Sequence, residues 1–139
     1  MDKKIKNWKD YIKPQNLALL RRCNIKYREA LHYFKKQKWE NARKAYKEFT
    51  EMNLIDYDAF YQLGKCCLEL GNMEVNNLKK QKSRIGRTKQ KEIQKKINKY
   101  FTECDENWSK ARRIEPENQK LQEELIKAKE QRKKNRGVA

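Results

Sequence analysis

The side chains that could serve as nucleophiles, bases or metal ligands are few: Cys23, Cys66, Cys67, Cys104, the single histidine His32, and the serines Ser83 and Ser109. Nucleophilic catalysis needs a thiol or hydroxyl with a base in reach, and neither serine stands near His32 in a motif of that kind. A structural zinc site needs cysteine or histidine pairs at short fixed spacings. Here Cys66 and Cys67 are adjacent and no C-x-x-C occurs. Phosphate-cradling loops of the G-x-x-x-x-G-K-S/T or G-x-G-x-x-G type are absent as well. Glu103, Asp105 and Glu106 are expected on the outer face of a helix, solvated rather than paired for acid–base work. These residues predict no catalytic site, no metal, no cofactor and no small-molecule substrate, with the four cysteines acting as small buried hydrophobes.

Lysine and arginine carry the chemistry instead. The stretch LKKQKSRIGRTKQKEIQKKINK holds Lys79, Lys80, Lys82, Arg84, Arg87, Lys89, Lys91, Lys95 and Lys96. Residues 73–99 contain ten basic and two acidic side chains, +8 of the chain's +17. Cations at this density displace counterions from nucleic-acid phosphates, and the arginine forks suit phosphate or carboxylate geometry. The stretch lacks an aromatic for base stacking, so a sequence-reading single-strand platform is disfavoured. The nine cations named are the candidate contacts with phosphate or with an acidic partner. A solvated charge run or a nuclear-import signal is the plainer alternative.

Those cations must be positioned by helices. The 139 residues are 40% charged and include only four glycines and two prolines, too little turn chemistry for a sandwich or barrel. Three Trp, seven Tyr and four Phe supply core material that disordered tails lack. No stretch approaches the ~18 apolar residues of a membrane span, and the opening MDKKIKNWKDYIK has no apolar core. The expected location is therefore intracellular and reducing, cytoplasmic or nuclear.

Apolar residues recur at helical spacing in four blocks. Leu17, Leu20, Asn24, Tyr27, Leu31 and Phe34 mark a first helix after Pro14, with Asn16 as a candidate N-cap. Ala42, Ala45, Tyr46, Phe49 and Met52 mark a second. Phe60, Leu63, Cys67 and Leu70 mark a third, begun near Asp56 and stopped by Gly71-Asn72. Ile93, Ile97, Tyr100, Cys104, Trp108, Ala111 and Ile114 mark a long amphipathic helix closed by Pro116. A final exposed helix of about 117–134 has Leu121, Leu125, Ile126 and Ala128 as anchors, and the last four residues should fray. Between Met73 and Lys91 the pattern lapses, which predicts a flexible basic insertion centred on Ser83, Gly86 and Thr88. Deleting 76–92 is expected to cost little stability.

Ala30, Tyr33, Ala42, Tyr46 and Phe49 resemble one tetratricopeptide repeat, and Phe60, Leu63, Gly64, Leu68 and Gly71 resemble the first helix of a second. Its second helix is matched by Cys104, Trp108, Ala111 and Pro116, displaced by the basic insertion. Glu29 departs from the pattern, and so does Ile55-Asp56, where the repeat would close on proline. The resemblance spans about 24–116 and implies an all-α antiparallel helix-hairpin array, an α-solenoid fragment with a C-terminal capping helix. Residues 1–23 would form a basic extension and the start of the first helix, 24–116 the repeats with the insertion at about 73–92, and 117–139 the cap and basic tail. It also implies a non-catalytic adaptor in a larger assembly. Leu31 stands where carboxylate-gripping members carry asparagine, which argues against chaperone binding. The half-repeats of RNA-processing proteins share the Ala42-Arg43…Tyr46 pattern. The function expected is a scaffold docking by its basic insertion and termini onto RNA, a ribonucleoprotein or an acidic protein surface such as tubulin. The alternative is an adaptor holding a peptide or partner helix in the concave groove, with the basic loop incidental.

Overall fold

A computed structural model describes residues 17–138, with side chains as far as Lys133. The candidate cap Asn16 and the basic N-terminal extension before Leu17 lie outside the described residues. Five helices follow in order: α1 (Leu17–Lys35), α2 (Trp39–Met52), α3 (Tyr57–Gln81), α4 (Arg87–Ile114) and α5 (Gln119–Val138). Each packs on the next, so the fold is an all-α array of antiparallel hairpins, and α3 with α4 makes its largest contact.

Short polar devices set the turns. Between α1 and α2 the chain reverses through Gln37, held in the left-handed region at φ 59° while the Lys38 N–H donates to the Tyr33 carbonyl at 2.9 Å. Asn53 accepts from the Ile55 N–H at 3.1 Å, and Asp56 then caps α3 by accepting from the Ala59 N–H at 3.0 Å. Asn118 caps α5 in the same way, through the Leu121 N–H at 3.0 Å. Pro116 lies just past the last turn of α4, as its missing N–H requires.

The stripe on α1 is rotated from the expected one. Cys23 and Ala30 are its buried centre, Tyr27 and Phe34 flank them, and Leu17 is exposed. Tyr27 packs on Tyr46 and Phe49 of α2, and its hydroxyl donates to Asp58 of α3 at 3.4 Å. Burial first, and then Asp58 and Asp56, push the Tyr27 phenol up to about 12.

The hairpin of α3 and α4 is governed by two glycines. A methyl on Gly64 would overlap the indole of Trp108, and one on Gly71 would overlap the ring of Phe101. Seven residues forward on α3 correspond to seven back on α4, so one antiparallel register runs the length of the pair. The Trp108 indole N–H donates to the Tyr61 carbonyl at 3.1 Å and locks the ring in its notch.

Gly71 therefore does not stop α3. It is a packing notch in mid-helix, and α3 continues for another ten residues to Gln81. The stretch read as a flexible insertion is the distal half of this hairpin. Val75, Leu78, Ile93 and Ile97 are buried along its seam. At the tip the Gln90 amide donates to the carbonyls of Lys82, at 2.9 Å, and Ile85, at 3.2 Å, closing the turn.

The final helix also differs from expectation. It runs to Val138, Ile126 is exposed, and its anchors are Leu121, Leu125, the partly buried Ala128 and the buried Arg132, which pairs with Asp105 of α4.

Three stability outcomes follow from these contacts. Gly64→Leu should lower stability by about 1–3 kcal/mol in urea unfolding, because a fully buried indole blocks the new side chain. Leu78→Ala should cost about 2–5 kcal/mol, where an insertion outside the core would show no change. For the same reason, deletion of 76–92 should lower the melting temperature, contrary to the sequence expectation.

Candidate acidic-partner interface

The arm beyond Gly71 and Phe101 is built from sparse apolar positions on each helix, with cations filling the remaining surface. Lys79 and Lys80 occupy the last turn of α3, where the negative end of the helix dipole favours them. Lys82 and Arg84 sit in the turn, and Arg87, Lys89 and Lys91 open α4. All seven are exposed and converge on the tip; Lys95 and Lys96 are also exposed, further back along α4. Among the described residues none of the nine forms a salt bridge.

At the start of α4 the local charge is uncompensated. The first turn of α4 has no acidic residue, and its N-cap Gly86 supplies no side-chain acceptor. The positive end of the α4 dipole thus adds to the field of Arg87 and Lys89. Glu74 and Glu92 are the only acids from 73 to 99. A rigid comb of cations on two paired helices, with no aromatic in the turn, suits a line of phosphates or carboxylates more than the edges of bases.

Most of the residues to which the resemblance assigns repeat packing lie in the core. Ala30, Ala42, Tyr46, Phe49, Phe60, Leu63, Gly64, Cys104, Trp108 and Ala111 are buried, Tyr33 is half-buried, and Pro116 is exposed in the turn. Cys23, Cys66, Cys67 and Cys104 are free and buried. Burial pushes the Cys66 and Cys67 thiols up to about 12 and raises the other two as well. At neutral pH they are packing groups, not thiolates.

Two ion pairs were not legible in the sequence. The Arg43 Nε donates to Glu103 Oε2 at 2.9 Å and its Nη2 to Oε1 at 2.7 Å, while Nη1 reaches Glu40 at 3.1 Å. The Cys67 thiol donates to the same Glu103 carboxylate at 3.5 Å, so one carboxylate joins α2, α3 and α4. Glu103 and Asp105, expected on a solvated face, both turn inward to arginines, and Glu106 alone of the three is exposed. The Glu40–Arg43 spacing is visible locally, but Glu103 lies 60 residues away.

No family model matches the chain, and neither a curated protein nor a solved structure does. Among the described residues no group of three His, Cys, Asp or Glu could hold a metal ion, and no helix is long and apolar enough to cross a membrane.

The half-buried fork predicts a pH response. Burial raises the Glu103 carboxyl, but hydrogen bonds and charge from Arg43, with smaller help from Cys67 and Lys47, outweigh it and hold the group below its ordinary value. A depressed folded pKa stabilises the fold above the unfolded pKa, and the benefit is lost as pH falls through the folded value. The wild type should therefore lose stability between about pH 5 and pH 3, beyond what Glu103→Gln loses over the same range. Urea titrations of both proteins at those pH values check this.

Proposed function

We propose that the protein is a non-catalytic helical scaffold, of tetratricopeptide-like build, that docks an acidic partner with the tip of its α3–α4 hairpin. One observation carries this reading. The largest excess of positive charge in the chain, +8 over residues 73–99, lies on the most distant part of its longest hairpin, exposed and without ion pairs among the described residues. Solubility does not require such concentration of charge at one end. The partner that fits is a phosphate backbone, as in RNA or a ribonucleoprotein, or the carboxylates of an acidic protein surface such as a tubulin tail. Arg84 and Arg87 at the turn supply forked donors to either, and the flanking lysines act as point charges. Because the seam of the arm is packed, it meets the partner already ordered, which lowers the entropy lost on docking.

Substitution tests this better than deletion, which would remove Leu78 from the core. In Lys79→Gln/Lys82→Gln/Arg84→Gln/Arg87→Gln every altered side chain is exposed, so the fold should remain. Binding to poly(U) RNA and to polyglutamate is measured from ~50 to ~200 mM salt, the range over which phosphate contacts dominate the loss of affinity. For RNA the slope of log K against log salt should shrink by about 3, from four lost contacts at roughly 0.7 each. Affinity and slope unchanged for both polymers would remove the arm as the docking element.

A further inference from the structure

At the opposite end of the same hairpin a second surface is open. Its cavity, of about 360 Å³, lies where the end of α2 and the turn after it meet the last turns of α4. Leu54, Phe60 and Ile114 form the apolar part, and Lys47, Lys110 and Arg113 stand around it with Glu51 as the single acid. Leu54, which lines this cavity, is 72% exposed, the most exposed of the large hydrophobics among the described residues. Neither Lys110 nor Arg113 forms a salt bridge among the described residues. Phe60 and the tip residue Gln81 are 21 positions apart on α3, which places the groove ~30 Å from the arm at 1.5 Å per residue.

We infer that this groove docks an acidic peptide segment of a partner protein. One apolar side chain of the segment covers Leu54 and Ile114 above Phe60, and flanking Asp or Glu side chains pair with Lys110 and Arg113. Charge selects this occupant over the others. A second copy of the chain carries +17, and residues 1–16 hold five lysines against two aspartates, so both are repelled by a basic rim. Nucleic acid would satisfy the cations but leave Leu54 and Ile114 without an apolar contact. Nor is there a free aromatic face for a base, because Phe60 is only 4% exposed and the Lys110 ammonium sits 5.6 Å from its ring centroid. An acidic segment with an apolar anchor meets both halves of the site. The groove faces outward between α2 and α4 and does not depend on the arm.

A library of random 12-residue peptides displayed on phage, selected against the full chain, tests the inference. Enriched sequences should carry an apolar residue flanked by Asp or Glu. A synthetic consensus peptide should bind at least tenfold more weakly to Lys110→Glu/Arg113→Glu and to Leu54→Ser. All three positions are exposed, so unchanged melting temperatures show that these variants remain folded. Binding should stay within twofold for the four-glutamine arm variant, which separates this site from the arm whether or not the arm binds polyanions. No enrichment, a consensus lacking acids or an apolar anchor, or loss of binding in the arm variant instead of the groove variants would overturn it.

Discussion

The close approach of α3 and α4 at Gly64 and Gly71 is the constraint on which the rest of the molecule depends. A side chain at either position would hold the helices apart, because the opposing atoms belong to the buried rings of Trp108 and Phe101. With the glycines in place the two rings fill their notches at a seven-residue step, and the antiparallel register is set over the whole pair. Arg43 then ties α2 to this pair through Glu103, and Arg132 ties α5 to it through Asp105. The remaining helices are thus arranged around one hairpin, and both proposed docking surfaces are its two ends.

A consequence of this arrangement is that the basic tip is held at fixed spacing. Like charges in a flexible loop spread apart to lower their repulsion, whereas here Val75, Leu78, Ile93 and Ile97 keep the two cationic strips side by side. Burial of those apolar groups opposes the repulsion. A polyanion bound at the tip would relieve it, so folding of the arm and binding at its tip act in the same direction.

Much of this was readable in advance, and the failures have specific causes. The stripe Ile93–Ile97–Cys104–Trp108–Ala111 is dense enough to reveal α4, and Asp56 marks the start of α3. Gly64 is a close-approach position against Trp108, and it is among the residues that carry the repeat resemblance. Gly71 has the same role, but glycine beside asparagine also reads as a helix stop, and local sequence does not distinguish a cap from a notch. The arm was hidden because a two-helix seam needs only about one apolar residue per turn, and Val75, Leu78 and Ile93 are diluted among lysines. Glu103 and Asp105 were misplaced because their arginine partners are distant in sequence, so only the tertiary fold identifies them as inward-facing.

Docking at the tip depends on the arm being packed helix rather than flexible loop, and native-state amide hydrogen exchange measures that residue by residue. The amides of 75–81 and 91–97 should be protected by orders of magnitude, with opening free energies approaching that of the core amides around Leu63 and Trp108. Exchange of those arm amides at the rates of an unstructured chain, while the Gly64–Trp108 region stayed protected, would contradict it.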